Sequence, residues 1–476
     1  MSDLTRRDVV KAATVVGAAA AITRIGAPAI QTARASTDQI SYGIVGTGGR
    51  GAYLLKHLTK VDNGRCVAVC DIDPAKTDKA ALVIGGNPAK YKDYREVLAD
   101  KSVEAVVIAV PLFEHYRITR DSLLAGKHTF CEKSLVFKPY ELHALRALAA
   151  QRPKQILQVG LQRRYSKFYQ MVKDMVDKGI LGNVTHIHAQ WHRNPGWVMK
   201  GFNWRLYQEY SGGLAAELAS HQIDVADWMF GGSPEFVMGL GGLDTWKDGR
   251  DVYDNIQLIY KYPKNQKLVY SSITTNAHLP LLNSTRPEFG EVIMGTAGSV
   301  EITVGDGEKT MPTALWFREP VKTETKPAGG KEAPAAAGAS FALGAGQKGL
   351  PLLTDKDTVS GNDSFLDKEM KFARRWLYSK GVMTADEDRN PVETEMESFF
   401  NDSKSGGRPK SDIEVGLRDS TAVILSNLAM KEERKVFFNE IDKMDANISE
   451  QEYLKKLETS EESYRQSLAA VHKVNL

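Results

Sequence analysis

The segment "GIVGTGGRG", residues 43–51, decides the fold. Gly46, Gly48 and Gly51 stand in the spacing G-x-G-x-x-G, which alone is a weak signal. Its setting strengthens it: the apolar run "QISYGIV" leads in and "AYLLKHL" follows, a strand, a turn and a helix. Twenty residues after Gly51, Asp71 closes the next strand, "RCVAVCD". Each glycine has a physical task. Gly46 permits the tight turn, Gly48 lets backbone approach a pyrophosphate, and Gly51 lets helix and strand pack closely. A pyrophosphate would rest on the free N–H groups at the helix start, beside Gly49 and Arg50. Asp71 would accept hydrogen bonds from ribose hydroxyls. A 2′-phosphate near "DID" would meet two carboxylates, so NAD is expected rather than NADP.

Outward from this turn, strands alternate with helices. "VEAVVIAVP", "HTFCEKSL" and "QILQVG" are strands; "YKDYREVLAD", "HYRITRDSLLAGK" and "YELHALRALAAQR" are helices. Alternation predicts a doubly wound parallel sheet of the Rossmann type over residues 36–160. The pattern then changes. After the helices "YSKFYQMVKDMVDKGILG" and "GGLAAELASHQIDVADWMFGG", residues from Pro234 to about Phe317 read as successive strands. Residues 161–442 are thus an α+β domain with a large, open, mainly antiparallel sheet. An Ala/Gly/Pro-rich insert occupies 318–360, helices return in "DSFLDKEMKFARRWLY" and "IEVGLRDSTAVILSNLAMKEER", and 443–476 form a helical C-terminal extension.

Chemistry-bearing residues gather at the carboxyl edge of the parallel sheet, where ligands bind in such folds. Pro111 ends a strand and His115 follows it; read alone His115 is equally a loop histidine, but both are expected cofactor contacts. "TFCEKSL" ends an apolar strand in Glu132 and Lys133, charges that are costly to desolvate without partners. Both are expected to face the cofactor. Glu217, His221 and Asp224 are spaced i, i+4, i+7, which sets them on one helix face. A histidine between carboxylates suits proton transfer, though a solvated polar face has the same spacing. His186, His188 and His192 share one strand face, but one strand rarely supplies a whole ligand set, and no metal is expected. His192, beside "RNPGW", is expected to reach a substrate cleft.

The N-terminus reads as a twin-arginine export signal over residues 1–35. Arg6 and Arg7 precede a short apolar run and the small-residue site "ARA" before Ser36. The run is too short for a stable membrane anchor, so a periplasmic location is expected. The full chain of 476 residues has a net charge of +3, and residues 1–35 alone carry +3, so the remainder is neutral and no basic patch argues for nucleic acid. Cys66, Cys70 and Cys131 fall in strand-like runs and read as free thiols.

Together these residues resemble the Gfo/Idh/MocA oxidoreductases. The resemblance rests on "GIVGTGGRG", "CDID", "AVVIAVPLFEHY", "GKHTFCEKSL", "VGLQRRY", "LGNVTHI" and "GGLAAELASHQIDVADWMFGG". It implies hydride transfer between NAD(P) and a hydroxyl/keto carbon of a sugar or polyol. Lys133 would hydrogen-bond the reacting oxygen, His221 would act as acid/base, and Glu217 would stand where aspartate is usual. Arg164, His192, Trp204 and Asp224 are expected substrate contacts. Ser134 replaces the usual proline after the lysine. A periplasm offers no ready pool of NAD, so the cofactor is expected to be tightly held. Net sugar oxidoreduction is the first expectation; NAD-dependent glycoside hydrolysis through transient C3 oxidation and non-catalytic sugar binding are the alternatives. By the same resemblance the chain is expected to form a homodimer or homotetramer.

Overall fold

The computed structural model describes residues 39–192, 202–275, 289–303, 313–318, 350–351, 389–445 and 447–474. The expected export signal, the helix "DSFLDKEMKFARRWLY" and the 318–360 insert, apart from Arg318 and Leu350–Pro351, lie outside them.

Six parallel strands form the first sheet: β1 (Ile40–Val45), β2 (Gly64–Cys70), β3 (Ala89–Tyr91), β4 (Ala105–Ile108), β5 (His128–Glu132) and β6 (Leu157–Gly160). Their order is β3-β2-β1-β4-β5-β6. Every residue of β1 and β4 is buried, because helices cover both faces of a parallel sheet; this is why those strands are unbroken apolar runs. The covering helices are α1 (Gly49–Leu58), α2 (Pro74–Ile84), α3 (Tyr94–Ala99), α4 (His115–Leu124) and α5 (Pro139–Ala150). Asp73 caps α2 through the Ala75 N–H, with Pro74 in the first turn, and Asp93 and Glu96 form a capping box on α3. Strand β3 was not anticipated, since three residues are too few to show a period.

The second sheet has nine strands. They are β7 (Val184–Trp191), β8 (Phe236–Gly242), β9 (Asn255–Lys261), β10 (Lys267–Ile273), β11 (Phe289–Gly295), β12 (Gly298–Thr303), β13 (Thr313–Arg318), β14 (Leu350–Pro351) and β15 (Val436–Phe437). The order is β14-β13-β12-β11-β7-β10-β9-β8-β15. Among the described strands of this sheet only the β7–β10 pairing is parallel. Helices α6 (Lys167–Asp177), α7 (Gln208–Ser211) and α8 (Ser220–Phe230) separate β7 from its neighbours in sequence. On the other face Met238, Leu240, Ile259 and Phe437 are 43%, 58%, 44% and 47% exposed, with Met238 directly opposite Ile259 across the ladder.

The chain then returns to the first sheet. Helix α9 (Pro391–Ser405) adds Val392, Met396, Phe399 and Phe400 to the core that holds Ile40, Tyr42, Leu54 and Phe130. The Phe400 ring stacks on Tyr42 at 5.0 Å, and a Cβ on Gly64 would lie 2.2 Å from that ring. Helix α10 (Ile413–Glu432) runs beneath the end of β5, where Ser420 Oγ accepts from the Val136 N–H at 3.2 Å. The last helix, α11, spans Glu450–Val474. Among the described residues no helix is long and apolar enough to cross a membrane. Cys66, Cys70 and Cys131 are free thiols; burial pushes each up to about 12.

Because Phe400 fills space that Gly64 leaves, Phe400→Ala should lower stability by about 3–5 kcal/mol. Urea denaturation checks this; an unchanged midpoint would show that α9 is not part of the first core.

Candidate active site

The glycine turn is shaped by contact. Gly46 has φ +87°, and a Cβ there would lie 2.4 Å from the Ala109 carbonyl oxygen. A Cβ on Gly51 would meet the Gly46 oxygen at 1.9 Å, so α1 sits against the turn at a distance only glycine allows. A Cβ on Gly48 or Gly49 would meet nothing within 4 Å. Gly48 caps α1 with no side-chain hydrogen bond, leaving the first-turn N–H groups directed at that space. The cradle therefore fits a pyrophosphate. Asp71 lies at the end of β2; its Oδ2 accepts from the Thr47 N–H at 2.9 Å and its Oδ1 from the Asp73 N–H at 3.0 Å. The carboxylate thus fixes the turn and stands beside the open groove. Lys76 Nζ lies 3.8 Å from it, and Asp73 is spent on capping α2.

Arg50 and Glu132 meet each other. Arg50 Nε donates to Glu132 Oε1 at 2.7 Å, and its terminal nitrogen donates to Gln162 Oε1 at 2.9 Å. Glu132, expected to face the cofactor, instead ties the glycine turn to β5. The reason is reach: the guanidinium presents several fixed donors on a long side chain and spans from the turn after β1 to the end of β5, with β4 between them.

Lys133 lies immediately beyond that pair, and the Lys133–Ser134 peptide is cis. Its Nζ donates to the carbonyls of Glu217 at 2.7 Å and Ala216 at 3.2 Å. Ser134 Oγ donates to the same Ala216 carbonyl at 3.3 Å. Those acceptors belong to a π-helical turn, Ala215–Ala219, that opens α8. Such turns recur at functional sites because they displace carbonyls from the regular ladder. Burial holds Lys133 below the ordinary lysine range, while Glu217, Glu132 and Asp419 act to raise it.

Across the cleft, Arg205 Nε lies 3.3 Å from Glu217 Oε2, and its guanidinium stands 4.3 Å over the Trp204 ring. Trp204 thus supports the cation that pairs with Glu217. His221 stacks on Trp191 at 5.1 Å and 27°, and Trp191 stacks on Phe289 at 5.1 Å. Behind Trp191 lies Arg163, paired with buried Glu291, which also accepts from the Tyr169 hydroxyl at 2.8 Å.

Other expected contacts are placed differently. Asp224 turns from the Glu217–His221 face into the core, where Arg164 Nε contacts both its oxygens at 2.8 and 3.0 Å. Both residues are under 8% exposed and fill each other's bonding capacity, so they support α8 rather than face a substrate. His115 is also scaffold: Nδ1 lies 2.8 Å from the Ser134 carbonyl and Nε2 3.1 Å from the Val110 carbonyl, joining the ends of β4 and β5. Pro111 caps the single turn between β4 and α4. His192 is buried; its Nδ1 accepts from the Ile273 N–H at 3.0 Å, and its Nε2 has no partner among the described residues. Burial pushes it down to about 4, so it is neutral. His186 and His188 lie further along β7, and no three metal-ligating side chains converge among the described residues.

Sequence reasoning missed Asp419 on α10 and Glu395 on α9. Both are buried, all four oxygens lack a partner among the described residues, and burial raises both carboxyls well above their usual range. The available signal was a lone acid inside the apolar run "STAVIL" and its approach, "GLRD". Trp191, Arg205 and the Arg50–Glu132 pairing had no local signature.

A dinucleotide cradle, a lysine at the end of β5 and a histidine on the facing helix define a Rossmann-type oxidoreductase scaffold. The family model described as "Oxidoreductase family, NAD-binding Rossmann fold" matches residues 40–161, and the "GFO/IDH/MocA C-terminal domain" model matches 169–301. The chain belongs to the Gfo/Idh/MocA oxidoreductase family. It is 34% identical over 189 residues to an inositol 2-dehydrogenase/D-chiro-inositol 3-dehydrogenase of Lactiplantibacillus plantarum, covering 39% of this chain and 51% of that protein. The chain spans about half the length of the first curated relatives it matches. Two solved structures share the fold. The aldose–aldose oxidoreductase of Caulobacter crescentus, complexed with glycerol, has a TM-score of 0.62 at 17% identity over 84% of this chain and 99% of its own. The scyllo-inositol dehydrogenase of Lactobacillus casei, with NAD(H) and scyllo-inositol, has 0.60 at 19% over 84% and 99%.

Asp227 on α8 tests the electrostatics of this core. It accepts from the Tyr262 hydroxyl at 2.6 Å, and burial pushes it up to about 7 from 3.8. Between those values the folded form keeps a proton that the unfolded chain has lost, so stability should fall as pH rises from about 4 to about 7. Asp227→Asn should flatten that slope in denaturation at several pH values; an identical slope would place the charge elsewhere.

Proposed function

We propose that this chain is an NAD-dependent oxidoreductase acting on a hydroxyl/keto carbon of a polyol or sugar. The observation that carries it is the ammonium of Lys133. Two of its three N–H donors are spent on the Ala216 and Glu217 carbonyls, which fixes its position and leaves one donor for a substrate oxygen. Bound NAD would supply the hydride acceptor, held by the Gly46–Gly51 turn and Asp71. Asp71 favours ribose hydroxyls over a 2′-phosphate by charge. Lys133 polarises the substrate oxygen, and His221, its ring plane set by Trp191, receives the hydroxyl proton. Glu217, paired with Arg205, lies one helical turn away and is suited to a second substrate hydroxyl. The named relatives act on, or were crystallised with, inositols, and the Caulobacter structure holds glycerol; these support a polyhydroxylated substrate.

The twin arginines Arg6 and Arg7 support export to a periplasm, and the apolar open face of the nine-stranded sheet supports a homo-oligomer. Denaturing purified protein should release NAD(H). No bound or bindable dinucleotide would sink the enzyme reading, and sugar release without net redox change would favour glycoside hydrolysis. Lys133→Met should cut turnover by about a hundred- to a thousandfold while NAD binding, measured by calorimetry, persists. Retained turnover removes Lys133 from the chemistry.

A further inference from the structure

Helix α11 lies beyond both family-matched segments, and a dinucleotide fold does not require it. It is nevertheless docked along one stripe. Arg120 Nε donates to Glu450 at 2.7 Å. The Tyr453 hydroxyl donates to buried Glu141 at 2.6 Å, and its ring stacks on Tyr140 at 4.2 Å. Leu457 is 1% exposed, Glu461 pairs with Arg117, and Ser460 donates to Glu209. Residues 453, 457, 461 and 464 recur every three or four positions, the spacing of one helix face.

That stripe ends at Tyr464. Its ring centroid lies 5.0 Å from Phe113 and 5.5 Å from both Tyr210 and Phe202. Phe113 stands two residues past Pro111, at the carboxyl edge of the parallel sheet. Tyr210 is in α7, and Phe202 precedes Trp204 and Arg205. Tyr464 therefore joins the rim of the cofactor groove to the segment that carries the substrate-side arginine. Its hydroxyl makes no hydrogen bond among the described residues, yet it interacts electrostatically with Glu114, Asp71 and Arg205. Burial first, then the carboxylates of Glu114 and Asp71, pushes that hydroxyl up to about 12, so it is a neutral donor.

The geometry points to Tyr464 as a positioning residue for the dinucleotide: carried in by α11, it walls the groove between Asp71 and Arg205 and slows cofactor release. This rests on the NAD reading above. The docking contacts explain how a terminal helix can hold such a wall. An Arg–Glu pair and a Tyr–Glu hydrogen bond anchor it to α4 and α5, so the ring is presented from an element fixed to the same sheet that binds the cofactor. A residue needed only to fill the aromatic cluster would leave release rates indifferent to its identity.

The test follows NADH leaving the full-length protein, by stopped-flow fluorescence with excess NAD as the chase. Tyr464→Ala should speed release about tenfold or more, since it removes several aromatic contacts. Tyr464→Phe should stay within a fewfold of wild type, and Glu461→Gln, which weakens docking without touching the groove, should fall between. Wild-type protein that binds NADH, with folded Tyr464→Ala releasing it at the wild-type rate, overturns the wall and leaves the NAD reading standing. Wild-type protein that binds no dinucleotide overturns both. Should Tyr464→Ala fail to fold, hydrogen exchange on wild type decides: NADH should protect the amides around 460–468, and unchanged exchange there rejects the assignment.

Discussion

The ammonium of Lys133, bonded to two carbonyls of a π-helical turn, joins the two halves of this structure at one point. One partner ends a strand of the parallel sheet; the other opens the helix that lies on the antiparallel sheet. A lysine tethered by backbone carbonyls keeps its charge without a carboxylate taking all its donors. The same contact sets the distance between the strand-end lysine and the histidine one turn along the helix. The surrounding architecture keeps that contact in register: Arg50–Glu132 holds the strand end, Arg164–Asp224 holds the helix, and Ser420 holds the backbone after Ser134 from below.

Charge is distributed unevenly around it. Arg50, Arg163 and Arg164 each meet a carboxylate at close range, as the buried guanidinium groups of Arg163 and Arg164 must. Burial raises the carboxyls of Asp227, Asp419 and Glu395 above the usual carboxylate range. The core beneath the cleft thus holds ion pairs and acids raised by burial side by side.

Legibility in the sequence followed the range of the interaction. The glycine turn, Asp71 and the alternation of strands and helices are local, and each was readable from a window of some twenty residues. Lys133 and the Glu217–His221 spacing were readable for the same reason. What failed was partner choice. Arg164 and Asp224 were read as substrate contacts because a sequence shows that a residue is polar, not that its complement lies 60 positions away. His115 and Glu132 were misplaced likewise, their partners being a carbonyl 19 residues on and an arginine 82 residues back. Ser134 departs from the family pattern, yet the peptide before it is cis and its hydroxyl finds the Ala216 carbonyl.

The return of α9 to the first sheet has a consequence for how the molecule is made. Val392, Met396, Phe399 and Phe400 complete a core begun at Ile40, so the dinucleotide-binding half is closed by residues in the last fifth of the chain. Contacts that distant in sequence form late and carry the entropy of a very long loop. During synthesis the first sheet must wait, this core lacking the residues of α9, while β7 to β14 of the second sheet are translated. The molecule is two sheets in space but a single unit in time, and neither half reaches its final form before the other exists.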